Sequence, residues 1–577
     1  MGEPPMGEPP MGEPPVVRAP VAVADLGADG LPEDLAVALF ARLRPAEEEA
    51  TPAALLDSSD HATSGAGPRS RRSIIALSRG PHAVDVRHRD GVTVETAPDG
   101  EHRTEEGFFA WLRRRWPRAR TASGDAADAG DAGNPGGADD GSPDFALGWV
   151  GWLGHELWHE LAPRPGHGPT PAVAGRSAAP SAADSADAAS GSPAEPGPGT
   201  DDARLFRATH AVVVDHAAGT VERQSLGEDS GWTAAVDAAV AEALAAARPA
   251  GRSLGGDDGP GVPPTVAELA VRDARTRHLA AIDAALAEIR EGTTYEVCLT
   301  TAVTGRLTAG ADGPLDVLGL YRRLRAANRA PFTQLLRFPG SDRAVDLLST
   351  SPERFLSLSS GGTARTEPIK GTRPRGVDAA EDAALAEELA AHPKDRAENV
   401  MITDLARNDL SIHAEPGTLR TERLCAIESY PTVHQMVSTV SARAAAGVAH
   451  ADVVAATFPP GSMTGAPKLS TLEILERLET GRRGPYAGVA GYFSTTGAAD
   501  LSVLIRTLVL EHDDDAEDAT RTPPTPGAEH DHAPGTARMH LGLGGAIVAD
   551  SDPAAEWEEI VAKAAGVLGT LGVDFPG

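Results

Sequence analysis

The chain has 577 residues, enough at roughly one domain per 150 residues for about three or four units or one large enzyme fold, and 52 Lys and Arg against 83 Asp and Glu leave a net charge of −31. An acidic chain with only short basic runs, such as Arg113 to Arg115, disfavours nucleic acid and anionic membranes, which are gripped by clustered Lys and Arg. More than half of the charge, −18, lies in residues 1–15, 121–143, 163–203 and 511–535. These are Ala, Gly, Pro, Ser and Asp rich, so the acidity marks low-complexity segments rather than a partner.

In chain order, residues 1–19 open with three MGEPP repeats, carry Pro and Glu where a secretory signal needs a basic start and an apolar run, and are expected to form a disordered tail. The only cysteines, Cys298 and Cys425, are far apart and outside any CxxC spacing. This argues against a disulfide framework or zinc site and suits a cytoplasmic protein. No apolar run approaches the 18 or more residues of a membrane span. Residues 20–250 form one N-terminal lobe. Its strands are expected at Ser73–Leu77, His82–Val86 and Ala211–Val214, and its helices at Glu105–Trp116 and near 232–247. Two stretches without hydrophobic periodicity, 121–143 and 163–203, are flexible insertions in it. From 264 to 577 regular helices and β runs follow one another, starting with an amphipathic helix at Arg272–Glu291 ended by Gly292. One acidic excursion, 511–535, between strand-like Ile505–Leu510 and Ala537–Leu543 is expected to be a solvated hairpin loop.

Several segments of the second lobe could carry chemistry. EPIKGT places Lys370 between a Pro-bounded strand end and a glycine. A loop lysine is usually a solvated charge, and the alternative, a nucleophile, needs surroundings that lower its pKa. Asp395 with Glu398, and Glu556 with Glu559, stand three apart on helices. Each pair shares a face that would suit Mg2+, although acids at helix starts more often complement the dipole. FPPGSMTGAPK, residues 458–468, fails the phosphate-loop pattern because Pro467 precedes Lys468 and no Ser or Thr follows it. What remains is a tight turn opening a helix, or a glycine loop near an anion. Tyr486 and Arg506 lie in runs that look like strands, and an Arg there needs a partner, either a structural acid or a substrate carboxylate. His434 by itself is most simply a hydrogen-bonded core histidine.

Taken in order, TYEVCLT, SPERF, PIKGT, DRAENVMITDLARNDL, FPPGSMTGAPK, YAGVAGYF, IRTL and EWEEIVAKA resemble the chorismate-utilising enzymes, and among them the aminodeoxychorismate synthase component I branch. The resemblance covers residues 264–577. It extends more weakly to the N-terminal lobe through LLDSSD (Leu55 to Asp60) and GWVGWLGHEL. It implies an α+β fold in which two large, mostly antiparallel sheets pack as a sandwich with helices outside.

Carried over onto matching positions, the resemblance makes Glu398 and Glu559 Mg2+ ligands, with Glu556 and Asp395 as outer or water-mediated partners. It makes Tyr486 and Arg506 the holders of the ring carboxylate of chorismate, helped by backbone N–H groups around Gly544 and Ala546. Lys563 would meet the enolpyruvyl carboxylate, and His434 would stand beside the ring. Ala546 replaces a glycine of several relatives, a change the backbone contact should tolerate. Glu296, in TYEVCLT, stands where isochorismate and salicylate synthases resemble one another in having a water-activating lysine, which disfavours water attack here. Lys370 stands where anthranilate synthases usually carry alanine. The implied reaction is 4-amination: neutral Lys370 adds at ring C2, Glu353 of SPERF protonates the departing C4 hydroxyl, and ammonia adds at C4. Glu353 then needs a raised pKa and Lys370 a lowered one. Neither cysteine sits in a Gly-flanked nucleophile elbow, so ammonia is expected from a separate glutaminase (amidotransferase) subunit. LLDSSD resembles the part of related lobes where tryptophan binds. The sister activity, anthranilate synthase component I, and a non-catalytic regulatory protein of the same fold are the alternatives.

Overall fold

In the strand Arg72–Leu77 alternate side chains enter two different apolar clusters. Ile75 and Leu77 join one apolar cluster, with Leu35, Leu39 and Phe40 of the helix Leu35–Leu43, while Ile74 and Ala76 face another, with Trp152 and Phe206. A continuous apolar run such as SIIAL is therefore a strand covered on both faces. The computed structural model describes residues 14–23, 31–44, 51–61, 69–116, 143–161, 201–247, 263–309, 315–339, 344–430, 433–512 and 535–577. The expected tail and the insertions at 121–143, 163–203 and 511–535 fall largely outside the described residues.

The strands assemble into two 12-stranded sheets of antiparallel pairs. Both sheets run through both halves of the chain. In the first, Ala53–Asp57 pairs with Phe332–Phe338; in the second, Gly148–Leu153 pairs with Val489–Ser494. Between the sheets lies the cluster of Ile74, Val150, Trp152, Phe206, Leu336 and Leu347. The outer face of the first sheet is covered by helices Leu35–Leu43, Ser230–Ala247, Val317–Ala327 and Pro553–Leu568, and that of the second by Phe108–Arg115 and His450–Thr457. Trp111 and Trp152 are fully buried. Each removes roughly 150–250 Å2 from water, about 4–6 kcal/mol at about 25 cal/mol per Å2.

The expected α+β sandwich is thus what the chain forms, with local shifts that have identifiable causes. The strand expected at 82–86 runs Asp85–Arg89: Gly80, at φ +77, makes a turn ahead of it, and alternation buries Val86 and His88. The helix expected at 272–291 spans Arg275–Arg290, because the Arg272 guanidinium is engaged by the Thr300 and Arg482 carbonyls at 3.2 Å. Gly292 ends it at φ +77. The strand expected at 505–510 runs Thr507–His512, since Arg506 at φ +51 interrupts the extended chain. It pairs with Thr536–Ile547, Leu510 opposite Met539, the arrangement of a hairpin.

Candidate active site

Lys370 lies not in a loop but in the strand Ile369–Pro374, paired with Val433–Arg443. Ile369 stands opposite Val437 and Thr372 opposite Gln435, one residue too many on the Lys370 side, and such a bulge re-aims a side chain. Gly371 takes φ +85 inside it, and a Cβ there would stand 2.9 Å from Leu389 and 3.0 Å from Asp395. The re-aimed Lys370 Nζ donates to Glu296 Oε1 at 2.8 Å. Glu296 opens the strand Glu296–Thr308 of the other sheet and is fully buried, so this ion pair spans the two sheets. Gly465 packs so closely on the same strand that a Cβ would stand 1.9 Å from the Glu296 carbonyl oxygen.

Glu353 lies between the strands Val345–Ser351 and Arg354–Leu358 and is buried. Burial pushes its carboxyl up to about 7, against hydrogen bonds from Ser462 and the Ile369 N–H and the charge of Lys370. The Ile369 N–H ties this acid to the residue next to the lysine. Glu353 faces a recess lined also by Ile402, Asp409, Thr457, Gly461 and Ser462. The expected raised acid is therefore present. The expected lowered lysine is not: burial disfavours the Lys370 ammonium, but Glu296, with Cys298 and Glu398 behind it, outweighs that and holds its pKa above the ordinary value.

Tyr486 and Arg506 do not lie on strands as expected. Each precedes one, Val489–Ser494 and Thr507–His512 respectively, and the two links are laced together by Ala487 N–H to Leu504 O at 2.9 Å and Leu504 N–H to Gly488 O at 2.8 Å. Ala487 and Arg506 take φ +63 and +51. Such left-handed non-glycine backbone costs on the order of 1–3 kcal/mol and clusters at functional sites. The Tyr486 ring is buried against the strand Thr536–Ile547, where a Cβ on Gly542 would stand 2.0 Å from its Cγ and one on Gly544 would stand 3.2 Å from its hydroxyl. Solvent reaches Arg506, yet the protein packed around it lowers its pKa, with no acid opposing the shift.

Lys563 bridges the Gly544 carbonyl at 2.9 Å and Glu559 Oε1 at 2.8 Å; the exposed Glu559 carboxyl is drawn below its ordinary value by that ammonium, against the desolvation of the protein around it. Half-buried Ala546 pairs with Cys298, and Gly544 with Thr300. His434 is buried with both ring nitrogens engaged, one with Ser429 Oγ at 2.7 Å and the other with Asp382 at 3.0 Å. This is a core histidine's arrangement rather than that of a ring free to meet a ligand. Lys468 donates to Asp409 at 2.6 Å and to the Thr457 and Pro459 carbonyls at 2.8 Å, so it closes its own turn ahead of the helix Lys468–Leu478.

Of the four acids expected around a metal, Glu398 and Glu556 are brought together, both buried, on helices Pro393–Ser411 and Pro553–Leu568. The Lys394 ammonium sits between them, 3.4 Å from Glu556 and 3.7 Å from Glu398. Glu559 turns to Lys563, and Asp395 pairs with Arg373 at 2.9 Å and His392 at 3.0 Å. Among the described residues no three His, Cys, Asp or Glu side chains already converge as a metal cage. The donor set nonetheless suits a hard cation. Burial, with Glu296 and Asp395 near, holds Glu398 up to about 7 against the pull of Lys370 and Lys394, and the two acids already attract one cation, the Lys394 ammonium. Lys394 and Ser462 escaped the reading of the sequence, although Lys394 stands four residues before Glu398, a spacing that pairs charges on a helix.

A family model for chorismate binding enzymes matches residues 156–569. The chain is 38% identical over 523 residues to an aminodeoxychorismate synthase of Streptomyces griseus, covering 89% of this chain and 60% of that one, so it spans about three fifths of that relative's length. It is 34% identical over 391 residues to anthranilate synthase component 1 of Streptomyces coelicolor, covering 65% of this chain and 68% of that one. Anthranilate synthase component I of Streptococcus pneumoniae shares the fold, with a TM-score of 0.59 at 22% identity over 86% of this chain and 92% of that one. No described helix is long and apolar enough to cross a membrane.

Proposed function

The chain belongs to the chorismate binding enzymes, and from that footing we propose that it aminates chorismate with ammonia to 4-amino-4-deoxychorismate, the precursor of 4-aminobenzoate. One observation carries the reading: Lys370, an amine nucleophile, directly follows Ile369, whose N–H bonds Glu353, a carboxyl held near neutrality, and the Lys370 charge is felt there. Arg506, which makes no side-chain hydrogen bond or ion pair among the described residues, and the nearby Tyr486 link suit a ring carboxylate, which a guanidinium grips with paired hydrogen bonds. Glu398, Glu556 and Glu559 would hold Mg2+, with Asp395 beyond them, and the ion would neutralise substrate carboxylate charge. Tyr486 and Arg506 orient the ring, which lowers the entropic cost of attack. Glu353, protonated below about pH 7, gives its proton to the departing C4 hydroxyl and recovers one from the incoming nitrogen.

Ammonia would come from a separate glutaminase subunit, since both cysteines are buried and outside any nucleophile elbow. Glutamine-dependent activity of the purified chain alone would refute that. A recess lined by Asp57, Ser58 and Arg69 in the LLDSSD region is where tryptophan would bind, and the two free thiols suit a cytoplasmic setting. The likeness to anthranilate synthase component 1 keeps 2-amination as the second reading, which Lys370 opposes. Incubating the protein with chorismate, Mg2+ and an ammonium salt and identifying the product by mass spectrometry and NMR decides between them. Anthranilate as the product would sink the proposal.

A further inference from the structure

We propose that Glu296 is the proton acceptor that turns the Lys370 ammonium into a nucleophile, and the acid that reprotonates it at the end of each turnover. The inference deepens the 4-amination reading and rests on it. Lys370 must attack as a neutral amine, yet it rests as an ammonium, so its proton needs a destination. Glu296 Oε1, at 2.8 Å, is within direct transfer distance. Glu296 is fully buried, and its Oε2 finds no hydrogen-bond partner among the described residues. Among the described residues no donor bonds that second oxygen, so the hydrogen bond to Lys370 is the one this carboxylate makes through Oε1. Moving the proton from Nζ to Oε1 converts a buried ion pair into a neutral acid and amine, a change that desolvation favours. The other groups around Lys370 fit the task less well. Glu353 must arrive protonated to serve the leaving hydroxyl, Glu398 stands with the Lys394 ammonium, and the buried Cys298 thiol is held above its ordinary pKa by burial.

The step balances. The Nζ proton passes to Glu296, and the Nζ lone pair forms the bond to ring C2. The two ring double bonds shift along the ring, and the C4–O bond breaks, releasing water that carries the proton of Glu353. Ammonia then bonds to C4, the double bonds shift back, and the C2–N bond breaks to release the amine. Glu353 takes the surplus proton from the new C4 nitrogen, while Glu296 returns its proton to Lys370. Only chorismate and ammonia are consumed.

Omitting ammonia isolates the first half. Wild type mixed with chorismate and Mg2+ should gain the mass of chorismate less water on Lys370. Glu296→Gln keeps shape and removes the base, so adduct formation and 4-amination should slow on the order of 10²- to 10⁴-fold, with the chorismate KM and the melting temperature little changed. A residue that merely holds the ammonium in place predicts the opposite, because removing its charge frees more neutral amine. Adduct formation by Glu296→Gln at pH 7.5 as fast as wild type, or faster, would overturn the proposal. Should Glu296→Gln not fold, Glu296→Asp decides: adduct formation slowed at least tenfold at unchanged KM supports it, and a wild-type rate overturns it. Failure of wild type to form the adduct, or an undiminished Lys370→Ala enzyme, would instead strike the 4-amination reading.

Discussion

Replacing Glu353 by Gln should make the protein more stable and almost inactive, and the stability gain should depend on pH. Its carboxyl is pushed from the ordinary 4.5 to about 7, chiefly by burial, and only 6% of the residue is exposed, so solvent screening takes little from the effect. At 1.36 kcal/mol per pH unit the difference is worth about 3 kcal/mol. A raised folded-state pKa means that the favourable contribution is complete below about pH 4.5 and is lost as pH rises through about 7. Above that, the folded state carries an ionised, poorly solvated carboxylate. The Glu353→Gln substitution removes the charge, while the amide oxygen it introduces can still accept from Ser462 and the Ile369 N–H. Urea unfolding followed by tryptophan fluorescence should show the variant up to about 3 kcal/mol more stable than wild type at pH 8 and nearly equal to it at pH 4.5. Glu398, also near 7, is present in both proteins and cancels. The same difference at both pH values, or a variant less stable at pH 8, would refute the assignment of a desolvated acid. Turnover should fall on the order of 10²- to 10⁴-fold, the contribution of a general acid.

Further outcomes follow from the site. Lys370→Ala should abolish 4-amination in the product assay, and any emergent anthranilate would mark Lys370 as the discriminator between the two reactions. Arg506→Lys should raise the chorismate KM about tenfold or more, because charge-assisted hydrogen bonds worth about 1.5–3 kcal/mol lose their fork geometry; steady-state kinetics reads it. Gly542→Ala, whose Cβ would stand 2.0 Å from the Tyr486 ring, should displace Tyr486, raising KM and costing about 1–3 kcal/mol of stability by overpacking. EDTA should abolish turnover and Mg2+ restore it, and Lys394→Gln should shift half-saturation to lower Mg2+ because the ammonium shared by Glu398 and Glu556 no longer competes.

Individual strands and helices were legible because their signals are local, whereas the two-sheet sandwich was expected only from the resemblance to the chorismate-utilising enzymes. The apolar run Ser73–Leu77, the amphipathic run closed by Gly292 and the paired acids three apart on helices all survive in the fold. What failed was backbone at the site. Tyr486 and Arg506 follow strand-like composition, but the strands start only after them, because Arg506 and the neighbouring Ala487 take left-handed conformations that side-chain pattern does not announce. Lys370, flanked by Pro368 and Gly371, looked like a loop residue, yet the bulge around Gly371 keeps it in a strand while turning its side chain toward the other sheet. The acids behaved differently again. Helical spacing placed each pair on a face, but which acid meets which cation was set by tertiary neighbours: Arg373 took Asp395, Lys563 took Glu559, and Lys394 took Glu398 and Glu556.

Charge state is the deepest of these tertiary properties, since burial alone pushes a carboxyl and an ammonium toward neutrality alike. Glu353 obeys burial and Lys370 does not. The difference is one residue, Glu296, which the topology brings from more than seventy positions away in the chain to 2.8 Å across the two sheets. At neutral pH the free protein therefore rests with Glu353 partly protonated and Lys370 held as an ammonium. On the proposed mechanism release requires the proton to cross the 2.8 Å gap, so the Glu296–Lys370 pair, rather than the lysine by itself, would act as the nucleophile.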